Sequence, residues 1–383
     1  MKKTIKLAVI AALALGTTSA FATNGINQIG VGAKARSMGG VGIATNLKGE
    51  NAYSNPSMIT RTDTAFINVG ATLFNADVSV ADNSNTYNSK YPMSVIPSVS
   101  GVYAFNDSFY LGGAIYGSGG MGVDYGDEDN IKDVKSELAI ATFAVPMAYK
   151  VSGFSIGFTP LAKSGKLSLP GYFGTDGTDS QQSSTATGLG FELGADYELS
   201  INEGSSVTFA AVYKSSVDLD FGDDVLISGT NRNNNKLATP SEIGVGISYT
   251  ISAHTIAFDY KHLGYGSATG FEDFDWENQD VFAGGYQYSA KSWEGRLGLN
   301  YGDTPLGRGD TANGLGTSMA YFPAVTTMHY TIGGTWNIND NNSLDLAYVY
   351  GTGSQSEDIP FASGDLEATN DQNSLALAYT YNF

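Results

Sequence analysis

Gly117, Gly119 and Gly122 match the GxGxxG spacing with which a loop can wrap a phosphate group. That chemistry requires the glycines to lie between a strand and the start of a helix. Here they lie inside a stretch with a strand pattern, and 48 glycines in the chain make chance matches common. Glycines inside a strand are typical of a bulge or a kink. We therefore interpret Gly117, Gly119 and Gly120 as a bend in a strand.

Other residue types with catalytic or metal-binding chemistry do not form a site in the sequence. The histidines His254, His262 and His329 form no HExxH pair, and no GxSxG motif is present. The acidic stretches "DYGDEDN" and "FEDFDWENQD" lack the ordered ligand spacing of a calcium loop. We interpret them as solvated loops, and we expect neither an enzyme nor a bound cofactor or metal.

The last ten residues, "SLALAYTYNF", show which element dominates the chain. Large apolar side chains occupy every second position up to Tyr379, Tyr381 and Phe383, with small or polar ones between them. This period of two predicts a β-strand with one apolar face and one polar face. The same alternation recurs in "SEIGVGISYTI", "HTIAFDY", "SWEGRLGLNY" and "SLDLAYVY". An all-β chain is therefore expected.

The N-terminus and the charge indicate where the protein resides. Residues 1–22 have the pattern of a signal peptide: three lysines, the apolar run "LAVIAALAL", and the cleavage motif Ala20-Phe21-Ala22. The chain has no Cys, which excludes a lipidated cysteine and a disulfide framework. Its net charge of -18 excludes nucleic acid as a partner. We expect export from a bacterial cytoplasm.

The connections between the alternating segments differ in length in a regular order. Six short turns, such as Ser252-Ala253, alternate with seven long polar loops, such as "GYFGTDGTDSQQSSTAT". Outer-membrane barrels sort their connections this way, with short periplasmic turns and longer external loops. Residues 63–383 therefore predict a transmembrane antiparallel β-barrel of about 14 strands. Its apolar faces meet lipid, and its small or polar faces line a lumen.

Residues 23–62 do not follow the strand pattern. They contain too many apolar residues for a solvated leader, among them Ile26, Ile29 and Met38. A barrel of 14 strands is wide enough to need filling unless it is an open pore. We predict that this segment plugs the lumen, and these three side chains are candidate ligand contacts. Lys261 and Arg296, on lumenal strand faces, are candidate partners of a ligand carboxylate or, equally, of lumenal Asp259 and Glu294.

The segment "GAKARSMGGVGIA", followed by Asn55-Pro56-Ser57, resembles the N-terminal hatch of the FadL/TodX family of outer-membrane transporters for fatty acids and hydrocarbons. The resemblance continues through "PSVSGVYAFNDSFYLGGAIYG", "TPSEIGVGISYTI" and "YFPAVTTMHYTIGG". Two departures are Ser57, where the family usually has Ala, and external loops that look short for a large surface-binding groove.

The resemblance implies passive uptake of hydrophobic solutes across the outer membrane of a Gram-negative bacterium. It implies capture in the lumen, a shift of a hatch gate at Asn55, Pro56 and Ser57, and lateral exit where the third strand kinks at Gly117, Gly119 and Gly120. Phe383 and Tyr381 resemble the C-terminal assembly signal of such barrels. Expected partners are a hydrophobic small molecule, outer-membrane lipid and lipopolysaccharide, and the barrel-assembly machinery, with the protein a monomer. A general polar-solute porin and an outer-membrane barrel enzyme remain the alternatives.

Overall fold

A computed structural model describes residues 23–62, 65–126, 135–170, 181–222, 235–307, 319–359 and 364–383. The predicted signal peptide, residues 1–22, lies outside the described residues, as do the centres of several long loops. Within the described ranges, no helix combines the length and the apolar character needed to cross a membrane.

Nineteen strands form most of the described chain. They are β1 (Phe66–Ala81), β2 (Thr86–Asn88), β3 (Ser94–Ala104), β4 (Phe109–Asp124), β5 (Lys135–Ala144), β6 (Met147–Val151), β7 (Phe154–Pro170), β8 (Gln181–Asn202), β9 (Ser205–Lys214), β10 (Val217–Asp220), β11 (Lys236–Thr239), β12 (Glu242–Ile251), β13 (His254–Leu263), β14 (Gln279–Ser289), β15 (Trp293–Gly302), β16 (Met328–Asn339), β17 (Asn342–Thr352), β18 (Ser354–Ile359) and β19 (Gly364–Asn382).

The strands close into an antiparallel barrel with 14 wall positions, which confirms the predicted fold class. The last strand, β19, pairs with β1 from Phe66↔Asn382 to Ala81↔Glu367, and this pairing seals the wall. β5 and β6 share one wall position, since both pair with β4 and with β7. The short strands β2 and β18 pair with the ends of β1 and β19, respectively, and β10 pairs with β11 in a separate hairpin.

The two faces of the terminal strand show why the sequence alternates. Leu377 and Phe383 are about half exposed, whereas Ala376 and Thr380 are buried. The large residues therefore lie on the outer surface, where lipid covers them, and the small ones face the lumen. Because β19 pairs with β1, the described part of the wall has no free edge strand at its seam.

Residues 23–62 lie inside the barrel, and we call them the N-terminal segment. The segment contains α1 (Ala33–Ser37) and two 3₁₀ helices, Lys48–Tyr53 and Pro56–Arg61. Two further 3₁₀ helices, Tyr265–Ser267 and Glu272–Phe274, lie in the connection between β13 and β14. Helix α1 contacts β15, β16, β17 and β19, and Pro56–Arg61 contacts β6, β7 and β8. The segment therefore touches the wall on opposite sides of the lumen.

Glycines in the wall allow this close contact. A Cβ atom at Gly298 would lie 2.2 Å from the Met38 carbonyl carbon, and one at Gly157 would lie 2.4 Å from the Pro56 carbonyl carbon. These distances are too short for any side chain, so the wall and the segment touch backbone to backbone.

Candidate functional site: a bulge in the third wall strand

The third wall strand, β4, leaves its neighbour half-way along its length. Its ladder with β3 runs from Ala104↔Tyr110 to Ser98↔Tyr116 and ends there. Its ladder with β5 shifts register between Gly117 and Gly119. One extra residue, Ser118, is inserted at this point, which is the geometry of a β-bulge. The structure thus places the three glycines singled out in the sequence at an interruption of the wall.

The bulge also changes which side chains face the lumen. Before it, Tyr110, Ala114 and Tyr116 are buried; after it, Met121 and Val123 are buried. Inward positions therefore change from even to odd numbers, as the insertion of one residue into a strand requires.

The tip of the N-terminal segment, residues 23–28, closes the interruption from the lumen. The Gly120 N–H donates to the Ile26 carbonyl at 2.9 Å, and Asn27 forms an antiparallel bridge with Gly119. The side chain of Gln28 donates to the Gly117 carbonyl. Backbone groups that β3 leaves unpaired are therefore paired by the tip. A Cβ atom at Gly119 would lie 2.9 Å from the Ile26 carbonyl oxygen, so a larger residue would crowd this contact.

Arg36 supports the tip from behind. Its guanidinium donates to the Gln28 side-chain oxygen at 2.9 Å and to the hydroxyl of Ser374 on β19 at 2.6 Å. Gln28 thus connects the bulge on one side of the barrel with β19 through a single buried arginine.

An apolar concavity lies on the outer surface of the same wall region. Its volume is about 1080 Å³, and it extends over β1, β3, β4, β5, β7, β8 and β19. Ile115 and Phe143 line it beside the bulged strand, and Gly113 lies at a position where a Cβ atom would meet nothing within 4 Å. The wall is therefore indented where the β3–β4 ladder ends.

A small polar cavity of about 90 Å³ lies behind the bulge, between the wall and the N-terminal segment. Ile29 and Ser118 line it, and so do five charged side chains: Lys163, Glu192, Lys214, Glu242 and Lys261. The Lys214 ammonium lies 3.4 Å from the Glu242 carboxylate. The Asp259 carboxylate, which accepts from the N–H groups of Gly42 and Ile43, also interacts with Lys261. The sequence pattern predicts only Lys261 of these five side chains as a ligand contact, although all five lie on lumenal strand faces.

Lys261 and Arg296 are not brought together. The Lys261 ammonium donates to the carbonyls of Ile29 and Gly40, each at 3.3 Å, at the polar cavity. Arg296 lies near the short-turn end, paired with Glu294 and bonded to Thr335 at 2.8 Å. It lines a separate polar cavity of about 350 Å³ at that end, which we call the periplasmic vestibule.

The remaining predicted ligand contacts occupy different places. Ile26 lies at the bulge and Ile29 at the polar cavity, whereas Met38 packs with Ala35, Val41 and Leu47 against β13 and β14.

Asn55, Pro56 and Ser57 begin a 3₁₀ helix and fasten it to the wall. The Asn55 side-chain oxygen accepts from the Ser57 N–H at 3.1 Å, and Pro56 takes the first helical position. The Asn55 amide also donates to the Ile43 carbonyl at 2.8 Å. At the far end of this helix, Arg61 pairs with Asp196 on β8. These residues therefore dock the segment on β7 and β8, away from the bulge.

A buried carboxylate orders the middle of the segment. Glu50 accepts hydrogen bonds from the N–H groups of Lys34 and Ala35, at 2.9 and 3.0 Å, and Lys34 pairs with Asp345 on β17 at 3.2 Å. Burial is the largest cause that raises the pKa of Glu50, to about 7.

Tyr381 and Phe383 lie on the outer surface at the seam of the barrel. Their rings are 4.9 Å apart, and the Phe383 N–H donates to the Ala65 carbonyl at 2.8 Å. Elsewhere, the described residues contain no group of three His, Asp or Glu side chains that could hold a metal ion.

The family model of outer membrane transport proteins named OMPP1/FadL/TodX matches residues 8–257. The chain belongs to this family. It is therefore an outer-membrane protein of a Gram-negative bacterium with a role in transport, as the sequence predicted.

Solved structures of the family share the fold at low identity. The toluene transporter TodX of P. putida superposes with a TM-score of 0.70 at 17% identity, covering 92% of this chain and 99% of that one. A Pseudomonas aeruginosa FadL homologue gives 0.68 at 15% identity, covering 94% and 100%. The Ralstonia pickettii toluene transporter TbuX gives 0.67 at 16% identity, covering 92% and 98%.

A curated relative is closer in sequence over a shorter stretch. It is an uncharacterized protein in the phosphoenolpyruvate carboxykinase gene 5' region of Chlorobium limicola, 35% identical over 88 residues. That match covers 22% of this chain and 43% of the relative's length.

Proposed function

We propose that this family member carries hydrophobic solutes passively inward across the outer membrane and releases them sideways through the wall at the β4 bulge. The substrate class is long-chain fatty acids or aliphatic and aromatic hydrocarbons. Two of the structural relatives are described as toluene transporters and one as a monoaromatic hydrocarbon channel, which supports this class for the present chain.

One observation carries the proposal: the β3–β4 ladder is interrupted at Gly117, and the N-terminal tip closes the interruption from inside. The tip is held there by few hydrogen bonds, each worth only about 1 kcal/mol net. Because the wall is indented outside the same point, a solute that displaces the tip reaches lipid over a short path.

The axial route offers an apolar solute no comparable path. The N-terminal segment contacts the wall on opposite sides of the lumen, and the vestibule beneath it is lined by charged side chains such as Arg61, Glu198 and Arg296. Transfer of apolar surface from protein into water costs roughly 25 cal/mol per Å². Lateral release into the bilayer avoids that cost.

The polar cavity suits the head group of an amphiphile. Its lining includes three lysine side chains, and a ligand carboxylate would accept a hydrogen bond from one of them, Lys261. We therefore propose Lys261 as a ligand contact and Arg296 as part of the vestibule, outside the capture site. We also propose that Ile26, Asn27 and Gln28 form the closing element, with Asn55, Pro56 and Ser57 as the anchor against which it moves.

We further propose that the barrel-assembly machinery binds the C-terminal strand at Phe383 and Tyr381. The assembled protein is then a monomer whose external end is surrounded by lipopolysaccharide.

The test substitutes Gly119, because a side chain there stands between β4 and the tip. In cells, Gly119→Leu and Gly119→Arg are expected to lower uptake of labelled dodecanoate and toluene at least tenfold, while purified protein binds both probes normally. Gly284→Leu on β14 is the matched control, since a side chain at that position meets open space away from the bulge and the concavity. Its uptake should equal that of the unchanged chain.

Two results would contradict the proposal. One is normal uptake by a folded Gly119→Arg barrel. The other is a large steady ion current through the unchanged protein in a planar bilayer, which would indicate a general porin.

A further inference from the structure

An aromatic cluster in the external loop between β13 and β14 contacts the tip directly. The rings of Tyr265, Phe271 and Trp276 lie 4.6 to 5.4 Å apart, and Tyr265 is fully buried. The Tyr265 hydroxyl accepts from the Ile26 N–H at 2.8 Å and donates to the Asn24 carbonyl at 2.9 Å. Burial holds the pKa of Tyr265 far above its ordinary value, so the hydroxyl keeps the proton that it donates.

The peptide groups of Ile26 therefore join two parts of the protein. The Ile26 N–H is held by the external loop through Tyr265, and the Ile26 carbonyl is held by Gly120 at the bulge. Gly25 makes this contact possible, because its φ of +59° turns the chain over the tyrosine ring, where a Cβ atom would lie 2.4 Å from the hydroxyl oxygen. A movement of Tyr265 thus acts directly on the closing element.

Two of these rings, those of Phe271 and Trp276, form part of one side of an apolar crevice. Leu138, Leu167 and Leu237 line it from the wall and the hairpin, and Phe271, Phe274 and Trp276 line it from the loop. Leu138 pairs with Met121, two residues beyond Gly119, so the crevice lies on the external side of the bulge. Its volume of about 10 Å³ is at the lower limit for one water molecule.

A solute can enter this crevice only if side chains move. Leu138 and Leu167 belong to ladders that are hydrogen-bonded on both sides, in β5 and β7, so they are held in place. Phe271 and Trp276 belong to a loop, and loops open at lower free-energy cost than paired strands. Entry therefore displaces the rings that pack on Tyr265.

We propose that Tyr265 is the positioning residue through which an apolar solute in the external crevice releases the tip from the bulge. This inference rests on the proposed uptake function, because it takes the solute that opens the gate to be the same solute that is transported. The crevice takes the apolar part of that solute.

The experiment measures release of the tip without measuring transport. The chain contains no Cys, so Asn24→Cys introduces a single reporter at a buried position of the tip. Reaction with a water-soluble maleimide is followed in lipid nanodiscs, with and without toluene, after folding is verified by heat-modifiable migration on gels. In the unchanged background, labelling is expected to be slow and to accelerate with toluene.

In the Tyr265→Phe background, which keeps the ring, labelling is expected to rise about thirtyfold, as the loss of two ordinary hydrogen bonds implies. Toluene should then add nothing further. Tyr125→Phe is the matched control: Tyr125 is also fully buried on the external side, and within the described part of the chain its hydroxyl has no hydrogen-bond partner. It should label like the unchanged background.

Phe271→Leu provides a second test that leaves the hydroxyl in place. Loosening the ring packing should raise basal labelling two- to threefold and weaken the response to toluene. Equal labelling of Tyr265→Phe and Tyr125→Phe would overturn the inference, and so would an undiminished toluene response in Tyr265→Phe. If the tip responds as expected while Gly119→Arg still transports, the coupling stands and the lateral route fails.

Discussion

Two of the places where wall glycines face the N-terminal segment have opposite consequences. On β14 and β15, Gly285 and Gly298 lie within an uninterrupted ladder, and the backbone of Met38 packs against them. On β4, Gly117 and Gly119 mark a register shift, and the tip supplies the missing pairing. The first place is a rigid contact, because the strands are complete without the segment. The second is completed by the segment and opens when the tip leaves.

This contrast explains why the same residue type carries two roles. Lack of a side chain permits close approach wherever the neighbouring strands stay paired. It permits a bulge where pairing with one neighbour ends, because the bent strand can leave ladder bonds unmade. The difference therefore lies in the pairing with the neighbouring strand: β3 stops pairing with β4 at Ser98, while β14 and β15 stay paired from Val281↔Gly302 to Ser289↔Glu294.

The largest expected effect comes from filling the rigid contact. Gly298→Val would place a side chain 2.2 Å from the Met38 carbonyl carbon, against backbone that cannot move without undocking the segment. We expect most folded barrel to be lost from the outer membrane, measured as heat-modifiable protein on gels. Gly284→Val on the neighbouring strand, where a Cβ atom meets nothing within 4 Å, is the control. Equal amounts of both variants would refute the rigid-contact assignment.

Removal of the anchor should separate folding from uptake. Deleting residues 55–57 removes the helix start that docks on Gly157 and Gly194, but no strand residue. We expect the barrel to assemble and uptake of labelled dodecanoate to fall about tenfold, because the closing element loses the anchor against which it moves. Unaltered uptake would show that these residues take no part in gating.

Deletion of Phe383 affects the seam between β1 and β19, which lies apart from the glycine contacts on β14 and β15 and on β4. The residue contributes one hydrogen bond to Ala65 and a ring contact with Tyr381. We expect folded barrel to fall several-fold through slower assembly, while the molecules that do assemble take up solute normally. Assembly at the unchanged level would remove Phe383 from the assembly signal.

The smallest effect is a pH dependence of segment docking. The pKa of Glu50 is raised from 4.5 to about 7 in the folded protein, so the native state binds the proton more tightly than the unfolded state. Docking should therefore be strongest below about pH 4.5 and weaken as the pH rises towards 7. Protection of the segment from protease between pH 5 and 8 measures this, and Glu50→Gln should abolish the dependence.

Much of the wall could be predicted from the sequence because membrane strands obey a local rule. Alternation in "SLALAYTYNF" assigns each side chain to lipid or lumen, and loop length assigns the two ends. The bend at Gly117–Gly120 was also visible, since glycines interrupt that alternation.

Contacts across the lumen were not visible, because residues far apart in sequence meet there. The pairing of Ile26 with Gly120 and with Tyr265 depends on where the segment lies inside the barrel, and no local period encodes that position. The partner of Arg296 could not be predicted either, although that partner lies close in sequence. Its neighbour Glu294, two residues away on the same strand face, was one of two possible partners in the sequence, and only the structure places them together.

The most direct measurement is of solute uptake while a reversible disulfide joins the tip to the bulge. Asn27 and Gly119 face each other in an antiparallel bridge, in a chain without cysteines. Such a pairing brings the two Cα atoms to about 4.5–5.5 Å, which is within the range that a disulfide spans. In cells producing Asn27→Cys/Gly119→Cys, oxidation should reduce uptake of labelled dodecanoate to the level of cells lacking the protein, and a reductant should restore it. Asn68→Cys/Thr380→Cys, which links the already paired β1 and β19, should be insensitive to oxidation. Undiminished uptake through the oxidised tip–bulge disulfide, with the cross-link verified on gels, would contradict lateral release at the β4 bulge.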